Sequence, residues 1–582
     1  LILRKRVGII GILVCFLLNA CTARPANTLL NSGVIMKDVQ ISAIHYQNSF
    51  TRPGESSRWT VVVSNTSKSE VSGELSCQIS DSEKTLYRLS QKVTLKPGEQ
   101  SFDFEWLPPA KAPRGYGLDV AVDFADGSRS AVVSSGFDVL AKWTQMPRYG
   151  FLTDFFPERK DSASMMQQMA DLHINGLQFY DWMYRHEQFF TNDEPYIDIL
   201  DRTLSLNTVK ELIADAHKHG IAAMPYTAIY GVSVEFFNSH KDWGMYHADG
   251  SPVYLGENFM AYVDPRPGSP WTVHMLNEFK GILQKTDFDG IHLDQYGDPK
   301  VGYDAKGNYF DLGQAIADTI TDTHKVVDEY RKDGAVVFNC VTNWPVELAS
   351  RADEDIIYIE VWDPYTNFSD LHNLVTYAQS QNTGKPVVLA AYVHPANSAN
   401  PMLMDAIIFG SGGGRIELGE NFGYLVEAYF PKYEIPTEEQ RALLQNYYDF
   451  AVRYQALIGP ATTEATGKWI NNIKVSGLKV GLSEGSDIFA LARETDQTLA
   501  ISLVNLTGIN SFKWNVPVHD PTPAKDLTFT LKGLDKAVKE VVFTSPDGED
   551  FSLQKVEFSQ KDGELTVKIP ALRYWDLLVL RY

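Results

Sequence analysis

The sequence predicts a multidomain protein of α/β plus β class: a central (β/α)8 TIM barrel flanked by an N-terminal immunoglobulin-like β-sandwich and a C-terminal β-sandwich. Three observations predict it. Between about residues 143 and 458, eight short apolar runs alternate with segments whose apolar residues recur every three or four positions, which is strand and helix in turn. From about 36 to 142, and again from about 459 to 582, the period changes to two, with turn residues between the runs. A chain of 582 residues is also too long for one ordinary core.

The first 21 residues differ from the rest. Arg4-Lys5-Arg6 precedes the apolar run Val7 to Leu18, a basic and apolar pairing that marks a secretion signal and is too short for a stable membrane span. The run ends in Leu18-Asn19-Ala20-Cys21, which resembles the lipobox of bacterial lipoproteins. That resemblance implies cleavage before Cys21 and lipidation of Cys21. With Thr22 rather than Asp next, it implies an outer-membrane lipoprotein of a Gram-negative bacterium, on the periplasmic or the cell-surface side. Residues 22–35, with Pro25, Asn27, Ser32 and Gly33, read as a flexible tether.

In the first β segment, 36–142, the alternating runs are Val39 to Ile44, Trp59 to Val63, Glu74 to Ile79, Ser101 to Trp106 and Tyr116 to Val122. Their aromatics are expected to fill the space between two sheets, glycan binding being the alternative. In the barrel segment, 143–458, the eight strand-like runs are Tyr149 to Asp154, Gly176 to Trp182, Ile221 to Tyr226, Gly290 to Asp294, Ala335 to Asn339, Ile356 to Glu360, Pro386 to Tyr392 and Gly414 to Leu418. Helix-period segments lie at Ser162 to Leu172, Asn207 to Lys218, Thr272 to Lys285, Leu312 to Lys332, Leu371 to Gln381 and Glu438 to Leu457. Eight strands is the number that closes a barrel. A doubly wound open sheet is the competing topology, but no GxGxxG follows the first strand, and Gly412-Gly413-Gly414 precedes the last one instead. The long stretch from Tyr226 to Trp271 is rich in aromatics and is expected to overhang the strand tips. In the last segment, 459–582, the runs include Phe489 to Ala492, Thr498 to Val504, Leu527 to Leu531, Leu565 to Ile569 and Trp575 to Leu580.

A net charge of -21 argues against nucleic acid as a partner, because such a partner needs a basic face to replace its counterions. The 11 tryptophans and 28 tyrosines supply flat stacking surfaces for a neutral ligand. Outside the leader only Cys77 and Cys340 remain, far apart, so neither a disulfide framework nor a zinc site is expected. His217 and His219 are two apart on a helix and face different ways. Asp298, Asp304, Asn308 and Asp311 miss the EF-hand spacing and read as a solvated loop. No metal, no cofactor and a monomer are expected.

The chemistry concentrates in Gly290-Ile291-His292-Leu293-Asp294-Gln295-Tyr296-Gly297 and in Ile356-Ile357-Tyr358-Ile359-Glu360-Val361-Trp362-Asp363. Each is an apolar strand that ends in a carboxylate beside aromatic and polar groups, and barrel enzymes place their chemistry at such strand ends. Two carboxylates on alternate strands suit glycoside cleavage, one attacking the anomeric carbon while the other protonates the leaving oxygen. Either one alone is equally suited to cap a helix or pair with an arginine.

These motifs, together with Gly150-Phe151-Leu152-Thr153-Asp154-Phe155 and Gln178 to His186, resemble glycoside hydrolase family 66, the dextranases and cycloisomaltooligosaccharide glucanotransferases. The resemblance implies a retaining endo-hydrolase of α-1,6-glucan, with dextran and isomaltooligosaccharides as substrates. It assigns the nucleophile to Asp294 and the acid/base to Glu360. Only about twenty residues separate Tyr392 from the Gly412 run, too few for the carbohydrate-binding insertion of the glucanotransferase branch, so hydrolysis is expected over cyclisation. Asp181, Trp182, Tyr184, His186, Tyr226, His292, Tyr296, Trp362 and Asp363 are the expected substrate contacts, with Trp182 and Tyr184 stacking on a sugar face. Asp154, Tyr230, Asn339, Asn343 and Trp344 are lesser candidates. The alternatives are a glucanotransferase, an α-glucanase of other linkage such as α-1,4, and a surface glycan-binding lipoprotein. Amides in place of the two carboxylates would have favoured the last.

Overall fold

The computed structural model describes residues 35–394 and 399–582; the leader, Cys21 and nearly all of the tether lie outside the described residues. The fold is a TIM barrel with flanking β-sandwich domains.

In the first sandwich, Val39–Tyr46, Ser57–Asn65 and Gly98–Trp106 form one sheet, and Lys84–Leu95, Val71–Asp81, Arg114–Phe124 and Val133–Val139 form the other. Alternation along Ser57–Asn65 turns Trp59, Val61 and Val63 inward. Trp59 stacks on Phe104 and Phe137, with ring centroids 6.1 and 5.8 Å away. These aromatics are therefore core, not an exposed sugar platform.

The barrel strands are β1 (Tyr149–Leu152), β2 (Gly176–Phe179), β3 (Ala222–Ala228), β4 (Gly290–Asp294), β5 (Ala335–Val341), β6 (Ile356–Glu360), β7 (Val387–Ala390) and β8 (Gly414–Arg415). All pair in parallel, each with its sequence neighbours. A parallel bridge from Phe151 to Gly419 closes the ring. Glycine is required there, since a Cβ on Gly419 would sit 2.0 Å from the Phe151 carbonyl oxygen. The helices between strands are well capped: Ser205, Ser269, Asp311 and Thr437 each accept a hydrogen bond from a first-turn amide.

Two connections differ from expectation. The helix after β5 is the single turn Val346–Ala349, whereas a full helix, Ala399–Gly410, fills the link from β7 to β8. Every residue of Ala399–Gly410 is buried, so it carries no polar face and no amphipathic period to read. It packs between the barrel and strand Thr498–Asn505 of the second sandwich.

That sandwich pairs Thr463–Glu464, Ile488–Glu494, Thr498–Asn505, Trp575–Arg581, Glu540–Thr544 and Gln554–Lys555 against Ile473–Val475, Ala524–Leu531, Glu564–Leu572 and Phe558–Lys561. The helix Glu438–Arg453 ties the first sandwich to the barrel: Arg453 donates to Asp119 at 2.6 and 3.0 Å, and Asp449 accepts from Ser135 and pairs with His173.

A buried ion pair pins the closure. Glu420, one residue past Gly419, accepts from Arg159 at 3.0 Å and from the amides of Thr153 and Asp154 beyond β1. Both side chains are essentially inaccessible to solvent. Removing Glu420 leaves Arg159 with Asp161, at 2.7 Å, but takes the acceptor from the Thr153 and Asp154 amides, so Glu420→Ala is expected to cost about 3 kcal/mol, read as a lower urea midpoint. An unchanged midpoint would show that the closure does not depend on this pair.

Candidate active site

Parallel register brings the strand ends to one level: Asp294 lies opposite Ala228, Val341 opposite Glu360, and Glu360 opposite Ala390. Asp294 and Glu360 therefore project from alternate strands at the C-terminal mouth of the barrel, with β5 between them. Asn339 of β5 joins them: its Nδ2 donates to Asp294 Oδ1 at 2.8 Å and to Glu360 Oε2 at 3.0 Å. One nitrogen bound to both limits those two oxygens to a separation of at most about 6 Å, against carboxyl spans of about 5–5.5 Å in retaining and about 6.5–9.5 Å in inverting glycosidases. Each carboxylate also has its own phenol donor, Tyr226 OH to Asp294 Oδ2 and Tyr392 OH to Glu360 Oε1, both at 2.7 Å.

Burial raises the proton affinity of both carboxyls above the usual range, and at Asp294 the charge of Glu360 adds to the rise. The hydrogen-bond donors oppose the rise without cancelling it. Burial beside these charges also drives the Tyr226 and Tyr392 phenols far up, so both stay protonated and donate. The pair thus behaves as one coupled unit that holds a proton above the pH at which free carboxyls lose theirs. Groups held above their unfolded range cost stability when ionised; this cost is absent below about pH 4 and grows as pH rises. Asp294→Asn is therefore expected to raise Tm near neutral pH, with the gain shrinking as pH falls toward 4. A Tm at neutral pH equal to or below that of the parent would contradict this electrostatic picture.

The carboxylates face a cleft of about 690 Å³. Its floor includes His292, whose Nδ1 lies 3.0 Å from Tyr149 OH and whose ring burial holds at about 3, hence neutral. Tyr180, Gln178, Tyr358 and Phe430 line the side, and Tyr296, Asp363 and Trp362 line the rim. Trp362 is 42% exposed, so a ring face is open to a ligand. From the long Tyr226–Trp271 stretch, Leu255 lines the cleft. Tyr230 and Tyr262 are buried and hold Tyr296 in place, Tyr230 OH accepting from its amide and Tyr262 stacking on it at 5.1 Å. Much of that stretch is thus support rather than overhang.

Of the expected contacts, Tyr226, His292, Tyr296, Trp362 and Asp363 line the cleft with Asp294 and Glu360. Four others do not. Trp182 is fully buried among Phe189, Phe190 and Phe288, so it offers no ring face to a sugar. Tyr184 lines a separate groove with Phe190 and Phe236, and its ring is covered by Arg185 at 4.2 Å. His186 is buried behind Tyr226 and is held at about 4 by that burial. Asp181 is buried behind Tyr180, takes the left-handed φ of 46°, and is pushed by burial up to about 7. All four sit past the end of β2, where the chain bends away from the mouth. Asp154 accepts from Tyr433 OH at 3.0 Å.

Sequence reasoning missed Tyr392, Tyr180, Gln178, Phe430 and Lys300 as lining residues. Tyr392 carried a readable signal as the first polar residue after β7. Lys300 lies 4.0 Å over the Trp344 ring. In the acidic loop, Asp304 accepts from the amides of Lys306 and Asn308 and from Arg266, and Asp311 caps the following helix, so these carboxylates organise turns. Among the described residues no group of three or more His, Cys, Asp or Glu is placed to hold a metal ion.

Comparison with known proteins follows the same lines. A cycloisomaltooligosaccharide glucanotransferase of Niallia circulans is 28% identical over 395 residues, covering 64% of this chain and 40% of its own. The chain thus spans about two fifths of the length of that relative. A dextranase of Streptococcus salivarius is 22% identical over 582 aligned residues, covering 82% of this chain and 68% of its own. The crystal structure of a Paenibacillus sp. cycloisomaltooligosaccharide glucanotransferase complexed with cycloisomaltoheptaose shares the fold, with a TM-score of 0.85 at 20% identity over 93% of this chain and 99% of that one. The model of glycosyl hydrolase family 66 matches residues 47–579, most of the sequence, and the chain belongs to that family.

Proposed function

We propose that the protein is a retaining endo-hydrolase of α-1,6-glucosidic linkages in dextran that releases linear isomaltooligosaccharides. The observation that carries the mechanism is the single Asn339 nitrogen spanning Asp294 and Glu360, which fits the short carboxyl separation of a retaining site. The linkage rests on family membership and on the dextranase and cycloisomaltooligosaccharide glucanotransferase relatives.

Asp294 attacks the anomeric carbon while Glu360 gives its proton to the glycosidic oxygen, so the C1–O bond breaks as the Asp294 ester forms. Water then loses a proton to Glu360 and its oxygen bonds to C1, returning the ester electron pair to Asp294. Exposed Trp362, next but one to Glu360 in sequence, is suited to stack on the sugar that leaves. His292 and Tyr358 line the cleft beside the pair. No step calls for a metal or cofactor.

A second reading, cycloisomaltooligosaccharide synthesis, is supported by the 28% identity to a glucanotransferase. Its chemistry is the same, with a glucan 6-hydroxyl in place of water. Incubation with dextran and separately with soluble starch distinguishes the readings. A fast viscosity fall on dextran alone with linear products is expected; cyclic products would establish transfer, and action on starch alone would overturn the linkage.

We also propose lipidation at Cys21 and an outer-membrane location, on the leader sequence alone. Cys21→Ser is expected to release the protein from the membrane fraction, and retention there would refute the anchor.

A further inference from the structure

We infer that Asn339 is a positioning residue that transfers hydrogen-bond support from one carboxylate to the other as the reaction proceeds; this rests on the retaining reading above. Its amide nitrogen carries two hydrogens and lies 2.8 Å from Asp294 Oδ1 and 3.0 Å from Glu360 Oε2. Tyr226 serves Asp294 and Tyr392 serves Glu360, whereas the Asn339 amide serves both. The side chain is 5% exposed and sits on a strand, paired in register with Tyr358 of β6, so its place is fixed by the sheet and not by a loop. The amide cannot usefully turn over, because its oxygen would then face two carboxyl groups of which one is charged.

Each of the two hydrogens has its own acceptor, and the bond to whichever acid carries the charge is the stronger of the two. Before reaction that is Asp294, the ionised nucleophile. Once Asp294 is esterified to the sugar its oxygens lose their negative charge, while Glu360 has given its proton to the leaving oxygen and is anionic. The amide then supports Glu360 as a carboxylate, the form that must take a proton from water. When the ester breaks, charge returns to Asp294 and the support returns with it. No proton passes through Asn339.

Loss of the shared donor therefore slows breakdown of the glycosyl-enzyme more than its formation. It also moves the acid limb of breakdown upward, because Glu360 then stays protonated to higher pH. The test uses the full chain and α-isomaltotriosyl fluoride, whose leaving fluoride needs no proton. Asn339→Leu keeps the branched side-chain shape and removes the donor. It is expected to give a fluoride burst of about one per enzyme, then a steady rate at least about tenfold below the parent. The acid limb of that rate should lie about one pH unit higher, and intact mass should show glycosylated protein. Asn339→Val, smaller and suited to a strand, carries the same expectation if the leucine variant does not fold. An equal loss in both steps, with no burst and an unmoved acid limb, would reduce Asn339 to a packing role and overturn the inference. A parent enzyme that releases neither fluoride nor sugars from dextran would overturn the retaining reading, and the role of Asn339 with it.

Discussion

Asp294→Ala is expected to lower dextran hydrolysis by roughly 10⁴-fold or more, the scale on which removal of a covalent nucleophile acts. The cut removes the attacking oxygen and leaves Asn339, Tyr226 and the rest of the cleft in place, so binding should survive. The loss of one buried charge also relieves Glu360, and the variant should fold at least as well as its parent. Added azide distinguishes a nucleophile from a mere binding group. With room at position 294, azide attacks C1 from the same side and yields a β-glycosyl azide. Rescue without inversion, or a rate within tenfold of the parent, would remove Asp294 from the nucleophile role.

Glu360→Gln has a different signature. General acid–base catalysis is worth roughly 10²–10⁴-fold, and the loss should appear in full on dextran, whose leaving sugar needs a proton. With a glycosyl fluoride the first step should be largely spared and the second should limit. Azide then attacks the glycosyl-enzyme without needing a base and gives an α-glycosyl azide, opposite in configuration to the Asp294 product. The pH profile changes with a definite sign. In the parent, acid protonates the nucleophile and alkali deprotonates Glu360, and both limbs lie above the usual carboxyl range because the pair is buried. Over the acid limb Glu360 still holds its proton and is as neutral as glutamine, so that limb, which belongs to Asp294, should stay close to its place while the alkaline limb vanishes. An unaltered bell would show that Glu360 does not titrate in the reaction.

The carboxylates were legible in the sequence because each ends an apolar run, Gly290–Asp294 and Ile356–Glu360, and a barrel strand leaves its last side chain at the mouth. What was not legible depends on three dimensions. Trp182 and Trp362 look alike as aromatics just past a strand carboxylate, yet one is sealed among phenylalanines and the other is 42% exposed. The chain turns away after β2 and stays at the rim after β6, and nothing local marks the difference. Asn339 precedes Cys340 in an otherwise apolar strand, and only the register of β5 against β4 and β6 reveals that its amide meets both acids. Tyr392 reaches Glu360 from the neighbouring strand for the same reason. Helix Ala399–Gly410 was invisible because a helix buried on all sides has no period.

The most direct test of the central claim is the anomeric form of the first sugars released from dextran, followed by proton NMR in the first minutes before mutarotation. Two displacements at one carbon, by Asp294 and then by water, predict that new reducing ends appear as the α anomer and only later equilibrate. Reducing ends that appear first as the β anomer would require a single displacement by water, and would contradict a covalent role for Asp294.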